Sequence, residues 1–247
     1  MTDDAVSVAA AITRALAEHA RPERAAAEAR YLKSSRTHLG VGVPATRSIT
    51  RAALAGSAAT DRTTRLAVAR TLWASPVHEH LLAAVVVLAD GAGGLGCDDL
   101  ALVEELVRTA GTWALVDPLA TEVAAVVSDD GADGVRCGDT LDRWAVDDDF
   151  WVRRAALLAL MPPLRRGRGD WARFGRYADA MLDEREFFVR KAIGWVLRET
   201  AKKRPEIVAA WIADRPGRVP VLAVREAVRR MDPAGGDPLI AAAYRAR

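Results

Sequence analysis

The stretch EFFVRKAIGWVLRETAKKR, residues 186–204, places an indole where an apolar side chain is not expected. Wound at 3.6 residues per turn, it gathers Phe188, Val189, Ala192, Ile193, Val196 and Leu197 on one side and Arg190, Lys191, Arg198 and Lys202 on the other. Trp195 lies at same-face spacings of four, three and seven from Lys191, Arg198 and Lys202. From Phe150 to Arg204 the chain carries fourteen Lys/Arg against six Asp/Glu. A basic cluster alone reads first as a solvated charged face. An indole standing among the cations shifts the reading toward a polyanion, and duplex DNA is the rod-like one.

The elements that must position these residues are helices. Hydrophobic residues make up 51% of the 247 and charged residues 28%, with aromatics at only 6%. Ala, Leu and Arg are abundant and strand alternation is hard to find, which predicts an all-α protein. Helices are expected over 4–19, 22–36, 44–56, 62–73, 77–90, 98–109, 113–128, 138–146, 149–160, 171–182, 186–203, 205–213, 220–230 and 237–246, with breaks at segments such as GVGVP, DGAGGLGCDD and MPPLRRGRGD. The chain also repeats itself. FWVRRAALLAL from Phe150 aligns with FFVRKAIGWVL from Phe187 at an offset of 37, and Val-Arg-x-Ala returns at Val224, 35 residues after Val189. A period of that length covering two helices is the mark of a helical repeat. The expectation is a single domain over 1–247, a right-handed-type superhelical solenoid of HEAT-like antiparallel helix pairs with a concave basic groove. The Val and Ala would pack inward, with the Arg/Lys pair facing the concave side or fixing the stack, and Asp147–Asp149 would cap the helix that follows.

Other chemistries are set aside. Net charge is only +2, so attraction to an anion must come from local clustering. Cys97 and Cys137 lie in Gly/Asp-rich segments without metal-like spacing; no disulfide framework is expected, and a reducing cytoplasm is. His19, His38, His78 and His80 form no metal set by spacing, so neither metal nor cofactor is expected. DGAGGLG lacks the Lys-Ser/Thr of a phosphate loop. The first residues do not read as a signal peptide, and LLAAVVVLA is too short to span a membrane.

The segments ARYLKSSRTHLGVGVP (29–44), TWALVDPLATEV (112–123), DDDFWVRRAALLAL (147–160) and EFFVRKAIGWVLRETAKKRPEIV (186–208) resemble, in collinear order, the AlkD family of DNA glycosylases. The resemblance runs over roughly residues 5–230. It implies a superhelix of HEAT-like repeats holding duplex DNA and excising cationic N3- and N7-alkylated purines, without a pocket that swallows a flipped base. Carried over by position, the catalytic carboxylate falls on Asp117, the active-site tryptophans on Trp113 and Trp195, the backbone-bracing arginine on Arg154 and a groove tyrosine on Tyr31. Lys33, Arg190, Lys191, Arg198 and Lys202 complete the expected DNA-binding set. Thr112 stands where the family usually has a further Trp, and Pro118 after the carboxylate departs from its pattern and could bend the helix there.

The implied chemistry is coherent. An alkylpurine cation leaves as a neutral base, so no general acid is required. The positive charge that develops on the deoxyribose needs a carboxylate, which can also orient water, and indole faces, which attract cations. Trp113 lies four residues before Asp117, on the same helix face, and with Trp195 would form two walls around one cationic nucleotide. This makes the protein a monofunctional hydrolase, a cytoplasmic, nucleoid-associated monomer with double-stranded DNA as partner and no membrane. Local readings stay open beside it. Asp117-Pro118 also reads as an N-cap with Pro at the first helical position; Trp113 could be core, Arg154 a repeat-stacking residue, and Tyr31 a helix-end packing residue. The alternative function is a non-catalytic HEAT-repeat scaffold that binds damaged DNA or a protein partner.

Overall fold

The computed structural model describes residues 3–55, 57, 61–129 and 134–245. Residues 56 and 246, expected to end helices, and the loop positions 130–133 lie outside them. Among the described residues the regular structure is helical, apart from one parallel bridge between Thr37 and Val77. None of these helices is long and apolar enough to cross a membrane. The helices cluster into two compact units, residues 1–123 and 124–247.

Unit 1 contains α1 (Asp3–Glu18), α2 (Pro22–Leu32), α3 (Val43–Ala55), α4 (Arg62–Trp73), α5 (His78–Asp90), α6 (Leu100–Ala110) and α7 (Trp113–Pro118). Helix α5 is apolar nearly all round, with every residue from Leu81 to Leu88 buried, so it must be covered on all sides. Helices α1, α3, α4 and α7 pack against it. The loop leading to α3 is fastened at the start of α5: the buried Glu79 carboxylate accepts the backbone N–H groups of Leu39 (3.0 Å), Gly40 (2.7 Å) and Val41 (3.1 Å). Gly40 has φ +77°, and a Cβ there would come within 2.3 Å of the Arg21 carbonyl oxygen, so only glycine fits.

Unit 2 contains α8 (Ala125–Asp129), α9 (Gly134–Trp144), α10 (Phe150–Ala159), α11 (Met161–Arg165), α12 (Trp171–Ala180), α13 (Phe187–Ala201), α14 (Pro205–Ala213), α15 (Val221–Ala227) and α16 (Pro233–Arg245). The three copies of the Val-Arg-x-Ala motif fall on α10, α13 and α15, which pack in that order. Val152 and Ala155, Val189 and Ala192, Val224 and Ala227 are all buried, as the repeat predicts. Asp149 caps α10, accepting from the Trp151 N–H at 2.8 Å. Helix α11 was read from the sequence as a break, because MPPLRRGRGD holds two prolines. Both sit in its first turn, where an amide hydrogen has no intrahelical use.

The repeat period is also written in the polar contacts. Arg51 pairs with Asp90, Arg62 with Asp99 and Arg70 with Glu105, at separations of 39, 37 and 35 residues. Trp73 donates to Thr109 across 36. In unit 2, Arg166 pairs with Asp129 across 37, Arg215 with Asp179 across 36, and Tyr177 donates to Asp142 across 35. Each joins residues about one repeat apart. One expectation fails: neither Cys97 in unit 1 nor Cys137 in unit 2 is a free thiol. The oxidation state of a cysteine is not written in its sequence spacing, since it depends on what the fold brings near its Cβ atom.

Two variants test this packing. A Cβ on Gly194 would lie 2.8 Å from the Ala223 Cα, so Gly194→Ala must push α13 from α15. The expected loss is about 1–3 kcal/mol in urea unfolding, and an unchanged midpoint would show that the two helices are not in tight contact. Glu79→Ala leaves three amides without their acceptor, and the loss should reach at least about 3 kcal/mol at roughly 1–3 kcal/mol each.

Candidate functional site

Helix α7 begins at Trp113 because Thr112, in extended backbone, turns its hydroxyl to accept from the Ala114 N–H at 3.3 Å. The residue that replaces a tryptophan in the resemblance therefore serves as the cap. Asp117 is not a helix start: it lies inside the run that Thr112 opens, 8% exposed, one turn after Trp113. Pro118 sits within this run, and the chain widens from α to π helix over Leu119–Ala124. Proline has no N–H for the Ala114 carbonyl and its ring crowds that carbonyl, so the helix relaxes to a wider turn. The Thr121 hydroxyl donates to the Asp117 carbonyl at 2.8 Å, and Glu122 takes a two-pronged ion pair from Arg47 at 2.8 and 2.6 Å.

Trp113 is half-buried and lines a cleft of about 360 Å³, so it is not sealed in the core. The Tyr31 ring, 74% exposed, stands edge-on to it, with centroids 6.1 Å apart and planes at 84°. Tyr31 therefore does more than pack the end of α2. Leu32, Val41, Val43 and Leu82 supply apolar wall, while Arg24, Glu28 and His78 supply polar groups. Lys33 terminates α2 in the left-handed conformation and its side chain is exposed. Such a cleft can receive a flat, partly apolar group against aromatic edges.

The sequence reading missed the floor of this cleft. His78 is 6% exposed, and its ring stacks on that of His38 with centroids 4.6 Å apart and planes at 15°. Burial first, then the neighbouring His38, pushes the His78 imidazole down to about 4, so it is neutral near pH 7. The pair forms because the Thr37 backbone joins the start of α5: Thr37 N–H donates to Pro76 O and His78 N–H to Thr37 O. Residues 40 positions apart meet through backbone pairing, which no side-chain spacing announces.

In unit 2, Trp195 is half-buried on α13 while Val196 and Leu197 beside it are fully buried. The cations around it are not equivalent. Arg198 is held by Glu226, and Lys202 by Glu199 at 2.5 Å. The buried Glu199 also draws Arg165 to 3.4 Å. Lys191 is exposed, its ammonium 5.7 Å from the Phe187 ring centroid. Arg190 is half-buried, its Nε without a hydrogen-bond partner. Arg154 is 3% exposed; it donates to the Phe188 carbonyl with its guanidinium 5.9 Å from the Phe188 ring, which joins α10 to α13 as a repeat-stacking residue does. The signal for the carboxylate partners was present in the spacing, since Glu199 precedes Lys202 by three on α13.

No curated protein matches the chain. Among solved structures, a predicted DNA alkylation repair enzyme from Enterococcus faecalis is similar, with a TM-score of 0.75 and 20% identity over 86% of this chain and 96% of that one. AlkD2 from Streptococcus mutans is also similar, with a TM-score of 0.59 and 17% identity over 77% of this chain and 91% of that one. At such identities the likeness is one of helical fold. Residues 12–231, spanning α7 with its Trp113 and Asp117 and α13 with its Trp195, match the DNA alkylation repair enzyme family, and the chain belongs to that family.

Proposed function

We propose that this protein is a monofunctional DNA glycosylase that hydrolyses the N-glycosidic bond of cationic N3- and N7-alkylated purines in duplex DNA. The supporting observation is Asp117: a carboxylate carried inside a capped helix, one turn from an indole that opens onto a cleft. The alkylated base already bears the charge that makes it a leaving group. The enzyme's task is then to stabilise the deoxyribosyl cation as the bond breaks. Asp117 is assigned that stabilisation and the orientation of water. Trp113 and Trp195 are assigned cation–π contact with the charged nucleotide, worth about 0.5–2 kcal/mol each. Tyr31 and the exposed lysines are assigned the DNA backbone, and Arg154 the support of α13 against it. A single repeat domain over 1–247, acting as a monomer in the cytoplasm without a cofactor, completes the reading.

Base release from methylated duplex DNA tests it. Wild type should release 3-methyladenine or N7-methylguanine, and Asp117→Asn should slow the single-turnover rate by about 10²–10³ with unchanged circular dichroism. Trp113→Ala and Trp195→Ala should each slow it as well. A wild type that binds DNA in a salt-dependent way but releases no base would end the enzymatic reading and favour a binding scaffold. The cations should also sort by partner. Lys191→Ala should weaken DNA binding across sequences and lower the salt slope by about one, whereas Arg198→Ala, whose side chain is held by Glu226, should chiefly lower stability.

A further inference from the structure

Beneath the Tyr31–Trp113 cleft, three side chains from three segments meet without an evident reason. Glu28 of α2, His38 of the following loop and Glu79 of α5 each present one donor atom, and these atoms lie within 4.8 Å of one another. Both ring nitrogens of His38 are buried with no hydrogen-bond partner. The stacked His78, nine-tenths buried, has an unpartnered Nδ1 as well. A buried polar atom left unpaired is destabilising, so orphaned nitrogens gathered beside two carboxylates call for an explanation.

We propose that Glu28, His38 and Glu79 form a binding site for a divalent transition-metal cation, with Zn²⁺ the best-matched ion. One imidazole and two carboxylates are a donor set suited to Zn²⁺. Tetrahedral coordination with bonds of about 2.0–2.2 Å places donors roughly 3.3–3.5 Å apart, so the three groups need to close by little more than an ångström. Glu79 can spare the electrons. Its Oε1 accepts from Gly40 and Val41, but Oε2 accepts only from Leu39 and keeps a lone pair. Glu28 is engaged at 2.6 Å by Arg24, an i,i+4 pair whose partners are 50% and 25% exposed, and so solvated a pair gives way to a metal readily. The cation gives His38 its missing partner and fastens α2, the 37–41 loop and α5 together under the cleft. Its role is structural, and it holds Tyr31 and Trp113 in place.

The test uses tag-free full-length protein, dialysed against Zn²⁺ and gel-filtered, with bound metal read by mass spectrometry and stability by thermal melting. Wild type should retain about one equivalent and melt higher with Zn²⁺. His38→Ala and Glu28→Gln should each lose at least nine-tenths of the bound metal and the Zn²⁺-dependent shift, with unchanged circular dichroism. His19→Gln, in an exposed side chain outside the group, should retain the full equivalent. A wild type that retains no metal, or a His38→Ala variant that retains as much as wild type, overturns the site. The readout is bound metal, so the result stands apart from whether the protein releases alkylpurines.

Discussion

A helix that is apolar on more than one face cannot be satisfied by a single neighbour, and each unit of this protein is organised around that demand. In unit 1 the demand comes from α5, whose residues from Leu81 to Leu88 are all buried. In unit 2 it comes from α13, which α10, α11, α14 and α15 cover. Helix-on-helix burial of this kind drives stacked-repeat architectures, because one pair always leaves a face for the next. The polar contacts at the same period are a secondary device. Exposed ion pairs add little energy, but they define which neighbour a helix faces.

The residues assigned to the proposed site lie at the margins of the packing. Trp113 and Trp195 are both half-buried, next to residues that are fully buried, so each ring is held by the core on one side and available on the other. Asp117 is anchored more deeply, within a helix whose start is fixed by a threonine cap. In the proposed role a carboxylate held this way would have an advantage, since a fixed charge need not reorganise as a reaction proceeds.

Much of this was legible in the residues. Helix positions followed from apolar spacing and from turn residues, and the offset of 37 between the Phe150 and Phe187 segments announced the packing of α10 on α13. The capping role of Asp149 followed from its place before an apolar run. What stayed hidden was chiefly what depends on contacts between distant segments, the π turn and the Glu199–Lys202 pair being local exceptions. The π turn after Pro118 was anticipated only as a bend. The histidine stack at the base of the cleft arises from a backbone bridge between Thr37 and Val77. The basic face around Trp195 looked uniform in sequence, yet Arg198 and Lys202 meet internal carboxylates while Lys191 does not.

The ion pairs spaced one period apart carry a consequence for how such a chain can change length. Where a cation on one helix meets an anion some 35 to 39 positions later, any change of length between them that is not a whole period parts the two charges. An insertion of half a period also turns buried valines toward water. Such a molecule is free to grow or shrink in whole steps, and it resists every fraction of one.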